Sequence, residues 1–373
     1  MIWGRVWASR SASTHLTAIE MATRRQLLAG LLATSLVPRH SWADAGNPAF
    51  LSAAGLPGGG YALCGISDAL DVVFRIPLPA RGHAAAAHPA RAEAVAFARR
   101  PGTFALVIDC RSGKVLAKLQ APADRHFYGH GAFSADGTRL YTTENDYEAA
   151  EGRIGIWDVN AGYRRVGDIS SGGIGPHDIK RLPGTETLVI ANGGIETHPD
   201  SGRSKLNLPT MRPNLSYIED RQITEQIELD TKLHRNSIRH LAVSKTSSVA
   251  FAMQWQGDKI DAPLLGVHKR GQAPRLATAP ADDWRAMQGY AGSVAFSADG
   301  EQIALTSPRG GIVQFYDQRD ATLQQTLQMA DACGVAPTQD KLVITSGTGT
   351  IQTLSGQTVQ NDDLLWDNHL IPV

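Results

Sequence analysis

The sequence predicts an all-β protein: a seven-bladed β-propeller closed by pairing strands from the N- and C-terminal ends of the chain. Three observations carry this. Short runs rich in Val, Ile, Thr and Tyr, such as "LYTT", "LVIAN", "IVQFYD" and "IQTL", recur between turn residues along the chain. One stretch is written nearly twice, as "YGHGAFSADGTRLYTTEND" from Tyr128 and as "YAGSVAFSADGEQIALTSPRG" from Tyr290. The register of that repeat extends along the chain near the ~40–50-residue period of propeller blades. No amphipathic helix of several turns stands out beside these runs.

Aligning the two copies on "AFSADG" puts His130 opposite Ser293. The same register places His83 in "RGHAAAAHP", His177 in "GPHDIK", His240 in "SIRHLAV", Cys333 in "DACGVAP" and His369 in "WDNHLIPV". The seven positions are 47, 47, 63, 53, 40 and 36 residues apart. Each unit reads as an inner strand, a turn often carrying Asp-Gly or Pro-Gly, a second strand, a loop and two outer strands. After "HLIPV" no further strands follow, so the outer strands of that unit are expected from "GGYALCGI" and "DVVFRIPL" near the other end. A ring closed in this way needs no capping repeats, unlike a solenoid. It leaves no free sheet edge, which predicts a monomer.

The first 45 residues read differently. "MATRRQLLAGLLATSLVPRHSWADA" has paired arginines, Arg24 and Arg25, an apolar run and a small-residue cleavage site. This is the pattern of a twin-arginine export signal, with Met21 as the expected start and cleavage expected after Ala43 or Ala45. The apolar run is too short to span a membrane. The expected organisation is a leader over residues 1–45, then one propeller domain over 46–373, in the periplasm.

The chain has 373 residues, with 36 basic and 36 acidic side chains. A nucleic-acid binder would normally show a basic excess or stripe, and none is present. The three cysteines, Cys64, Cys110 and Cys333, leave at least one thiol unpaired. Cys64 and Cys110 could be buried thiols or a disulfide.

In a propeller the inner strands start at one end of the central channel. The loops after the second strands share that face. His83, His130, His177, His240, His369 and Cys333 are therefore expected to ring the channel. Neutral imidazole is the commonest metal ligand in proteins, and thiolate joins it for softer metals. Glu144, at the top of the next strand after His130, and His198, in the long loop Asn192–Asn214, complete the candidate metal set. Iron, copper or zinc suits such donors. Arg203, Arg212, Arg239 and Arg309 are candidates for holding an anionic ligand by bidentate contacts. No P-loop, G-x-S-x-G or H-E-x-x-H motif occurs, and no C-x-x-C-H, which excludes these nucleotide and hydrolase signatures and covalent c-type haem.

A second reading stands beside the metal one. WD-type blades carry Gly-His before the inner strand and Trp-Asp after the third, and there the histidine is a packing residue. Gly82-His83, Gly129-His130 and Trp157-Asp158 follow that pattern, whereas His177 follows Pro and His240 follows Arg.

With "RHFYGHGAFSADGTRLYTTENDYE", "GIGPHDI", "VIANGGIETHPDSGRSKLNLPTMRPN", "SIRHLAV", "SPRGG", "DACGVA" and "WDNHL" in view, the chain beyond its leader resembles a domain-of-unknown-function family. Its members are Tat-exported, propeller-like proteins of Gram-negative bacteria. They are often encoded beside imelysin-type iron-regulated proteins and di-haem proteins. The resemblance implies a periplasmic role tied to iron or another transition metal, with such proteins as partners, and supplies no catalytic mechanism. Three functions remain open on the sequence. The first is a non-enzymatic metal-binding accessory to metal uptake. The second is a metal-dependent oxidoreductase or lactonase-like hydrolase on the same face. The third is a protein–protein platform with structural histidines.

Overall fold

The computed structural model describes Met1 and residues 40–99, 103–202, 204–258, 262–339 and 341–373. The paired arginines and apolar run of the expected leader lie outside the described residues. So does Arg203.

Seven antiparallel sheets arise from the seven repeats. The blades are numbered here from the His83 repeat. Their inner strands are Gly82–Ala87, Arg125–Phe133, Pro176–Arg181, Asn236–Val243, Ser293–Phe296 and Ala332–Pro337. In blades 1 to 6 each inner strand leads outward through three more strands, in sequence order. Blade 7 closes the ring. Leu365–Trp366 and Ile371–Pro372 both pair with Phe50–Gly55, and Tyr61–Ile66 and Val72–Leu78 complete the sheet. Sequence reasoning expected the last two strands and missed Phe50–Gly55. Its "FLSAAG" has too little β-branched character to read as a strand.

The core lies between blades. Seven apolar clusters occur among the described residues, one at each junction of neighbouring blades. The junction of blades 1 and 2, for example, packs Val95, Phe97 and Val107 against Phe127, Leu140 and Trp157. A blade is apolar on both faces for this reason, so only the ring can bury them all. Residues 40–45 join this framework. Trp42–Ala45 forms a 3-10 turn, the Trp42 indole donates to the His88 carbonyl at 2.9 Å, and Ala45 is buried. A cut after Ala43 would sever that turn.

The inner strands are irregular where they pass the axis. Register shifts fall beside His83, His130, His177, His240 and Cys333. Such bulges re-aim side chains. Gly129 shows the local requirement. Its φ of +104° is left-handed, and a Cβ there would stand 2.6 Å from the His83 ring. Only glycine lets the two rings approach.

Candidate metal centre

Five histidines from five blades meet on the axis. The His130 ring is central, with centroids 4.9 Å from His83, 5.1 Å from His177, 6.0 Å from His240 and 4.7 Å from His369. His177 and His240 lie 4.8 Å apart, as do His240 and His369. Two overlapping triads bring ligand atoms within 4.8 Å of one another: His83, His130 and His177, and His130, His240 and His369. All are buried except His177, which is partly exposed.

One carboxylate organises the cluster, and sequence reasoning missed it. Asp178 is buried and follows His177 directly. Its oxygens accept from the backbone N–H of Ile179 at 2.8 Å and of Leu241 at 2.9 Å. Lys180 Nζ lies 3.4 Å away, and His130 Nδ1 lies 3.1 Å away. Burial works against its charge, yet Lys180 and His130 hold its pKa well below the usual carboxylate value. An ionised carboxylate can only accept, so His130 Nδ1 carries the proton and donates. His130 Nε2 lies 3.2 Å from His83 Nε2. His83 Nδ1 is buried without a partner among the described residues.

Other ring nitrogens share that state. His177 Nδ1, both nitrogens of His240 and His369 Nε2 are buried with no hydrogen-bond partner among the described residues. Burial, reinforced by neighbouring positive charge, holds the pKa values of His83, His177, His240 and His369 well below the ordinary one. For His177 the largest such contribution comes from Arg239. These rings are neutral at pH 7, the form that ligates metals.

The other expected ligands are not in the cluster. Glu144 is fully buried, but its carboxylate is gripped by Arg165 at 2.6 and 3.0 Å. Strand alternation explains the miss: Thr143 reaches the His130 carbonyl, so its neighbour Glu144 points to the other face of the sheet. Cys333 stands at its expected height, but its thiol faces Asp331 Oδ1 at 3.7 Å. Burial, then Asp331, push its pKa far up, so no thiolate is available. His198 bonds Glu148 at 3.1 Å and packs edge-on against Tyr147, on the surface of the long loop. All three cysteines are free and buried, which removes the Cys64–Cys110 pair.

The arginines divide. Arg212 is exposed and paired with Glu228 at 2.8 Å. Arg309 lies over the Tyr290 ring at 4.5 Å. Tyr290 accepts from Asn368, next to His369, which puts Arg309 beside the cluster, and the charge of Arg239 acts on His177 and His240. The WD-type reading of His130 is not what the fold contains. The Trp157 indole donates to Thr142, which bonds Glu144, and the network continues through Arg165 to Asp168 and Arg125 rather than to His130.

The family model "Protein of unknown function (DUF1513)" matches residues 76–373. The chain belongs to that family. The match spans blades 1 to 6 and the C-terminal strands of blade 7. A search of curated proteins finds no match. Among solved structures the chain is similar to Kuenenia stuttgartiensis hydrazine synthase, with 12% identity, a TM-score of 0.58, and coverage of 82% of this chain and 90% of that one. At that identity the likeness shows the propeller fold alone. Among the described residues, no helix is long and apolar enough to cross a membrane.

Proposed function

We propose that this protein binds one transition-metal ion on the propeller axis, through imidazoles drawn from His83, His130, His177, His240 and His369. One observation carries the reading: imidazoles from five blades converge, and four of them, His83, His177, His240 and His369, hold buried ring nitrogens without a hydrogen-bond partner among the described residues. Buried polar atoms are nearly always paired, so such a cluster asks for a ligand. His130 fits best as the central ligand. Asp178 holds its Nδ1 proton, fixes the tautomer and turns Nε2 inward, an arrangement common behind metal-bound histidines. The donor set is imidazole without thiolate, which suits copper, iron or zinc.

We further propose that the protein is exported to the periplasm and serves metal uptake, with an imelysin-type or di-haem protein as partner. The twin-arginine leader and the family resemblance support this. The loop Asn192–Asn214 supports a contact surface, because it lies on the histidine face. Its residue Thr197 touches Tyr128 and Asn145 there.

The test is elemental analysis of purified protein beside a His130→Ala/His177→Ala double variant, with folding of both checked by circular dichroism. Near-stoichiometric copper, iron or zinc, lost in a folded variant, supports the reading. No metal in either protein after exposure to all three ions overturns it.

A further inference from the structure

The axis has a second compartment, on the side of the cluster away from the long loop. A channel of about 620 Å³ runs to the face that carries the turns between first and second strands. Ligand sites commonly fall between about 300 and 1,000 Å³. All seven blades line it; small apolar residues such as Ala85, Ala132, Val294 and Ala336 form the wall along the inner strands, and Arg181, Lys245, Asp299, Glu301 and Arg319 stand at the turn end. The "HAAAA" run of blade 1 finds its use here: alanines keep the bore open.

The inner end is polar. It is formed by His240, His369, Asp178 and Lys180. A neutral imidazole has one N–H and one lone pair. Since neither nitrogen of His240 has a partner among the described residues, a buried N–H donor is left without an acceptor. Leaving such a group unmade costs about 1–3 kcal/mol. Asp178 cannot serve as that acceptor, because its oxygens already hold two backbone N–H groups, His130 and Lys180. Lys180 has three ammonium protons and meets Asp178 with one side only. The end of the channel therefore offers two donors to a ligand, the His240 N–H and the side of the Lys180 ammonium turned away from Asp178, beside the His240 lone pair.

We infer that the channel binds a small amphiphilic carboxylate, its apolar body along the alanine-lined bore and its carboxylate accepting from His240 and Lys180. The proposal stands apart from the metal reading. An ion needs a lone pair of a ring, whereas the carboxylate needs the N–H and the ammonium.

The experiment uses protein stripped with a chelator and the same protein after reloading with metal. Cis-parinaric acid is the fluorescent probe, with decanoate and decanol as competitors. Saturable parinarate binding at a single site is expected in the stripped protein. Decanoate should displace it at least about tenfold better than decanol, because a charge-assisted hydrogen bond to the head is worth more than a neutral one. Lys180→Gln, with folding checked by circular dichroism, should erase that preference. Should Lys180→Gln not fold, a diazirine-bearing decanoate on the unmodified protein decides: its crosslinks should map to the peptides of Ala85, Val294 or Ala336. No saturable binding, equal competition by decanol, or crosslinks outside the channel overturns the proposal. Metal content on the same samples keeps its failure distinct from failure of the metal reading.

Discussion

Blades 5 and 6 occupy the same axial position as the five histidine blades, with different chemistry. Ser293 Oγ accepts from the Val335 N–H at 3.4 Å, and the Cys333 thiol faces Asp331. Thr306 ties the wall together by donating to the Cys333 carbonyl at 2.6 Å. The inner strand of blade 5 runs without a register shift, unlike its histidine-bearing counterparts in blades 1 to 4. Closing a blade at the axis therefore requires neither an imidazole nor a bulge. Two blades manage with small side chains whose polar atoms are satisfied locally. Of the other five, His83, His177, His240 and His369 carry ring nitrogens without a partner among the described residues, while both nitrogens of His130 are paired. A ligand role would need that difference, and a packing role would not.

The comparison breaks most readily through metal content. His130→Ala should remove bound metal altogether, while Ser293→Ala and Cys333→Ser retain it; equal loss across these variants would dissolve the distinction between the two kinds of blade. Glu144→Ala should cost about 3 kcal/mol in denaturant unfolding, because Arg165 loses a buried partner, and should leave metal content unchanged. Asp178→Asn should weaken metal binding by about 10- to 100-fold in a competition titration, as loss of a supporting carboxylate does.

Acid sharpens the comparison further. The folded pKa values of His83, His177, His240 and His369 are depressed, so below about pH 6.5 the unfolded chain binds more protons than the folded one. Stability of the metal-free protein should therefore fall as pH drops through that value, by up to about 1.4 kcal/mol per unit for each histidine. Replacing one of these rings should flatten the slope, whereas Ser293→Ala should not. The smallest effect belongs to His198→Ala. It should change stability by less than about 0.5 kcal/mol and metal content not at all, as a surface contact would.

The fold was legible because the repeat is long and its turns are explicit. Asp136-Gly137, Pro183-Gly184 and Asp299-Gly300 each mark the first hairpin, with glycine at positive φ. The repeat also gave the height of each candidate along the axis, which is why all five histidines were found. It did not give direction. A one-residue step turns a strand side chain to the opposite face, so Glu144 went to Arg165 while Thr143 met the His130 strand. The Cys333 thiol turned to Asp331 for the same lack of radial information. Asp178 was visible as the residue after His177. Its role depends on Lys180 and the Leu241 N–H, and the latter comes from a neighbouring blade. The segment around Asp367 also needed the fold, since its partners Arg81 and Arg99 belong to blade 1.

That segment gives the axial site a mechanical meaning. Asp367 is clamped by Arg81 and Arg99 at 2.6 and 2.7 Å, and the His369 carbonyl accepts from Ser52. His369 thus lies between the two short strands, Leu365–Trp366 and Ile371–Pro372, that fasten the ring. An ion shared by His369 and His130 would tie that fastening to blade 2 across most of the sequence. Joining such distant residues removes much freedom from the unfolded chain. The ion would then work as a clasp, and a protease would report it: the loaded ring should outlast the empty one, with the first cuts of the empty ring falling in residues 361–373.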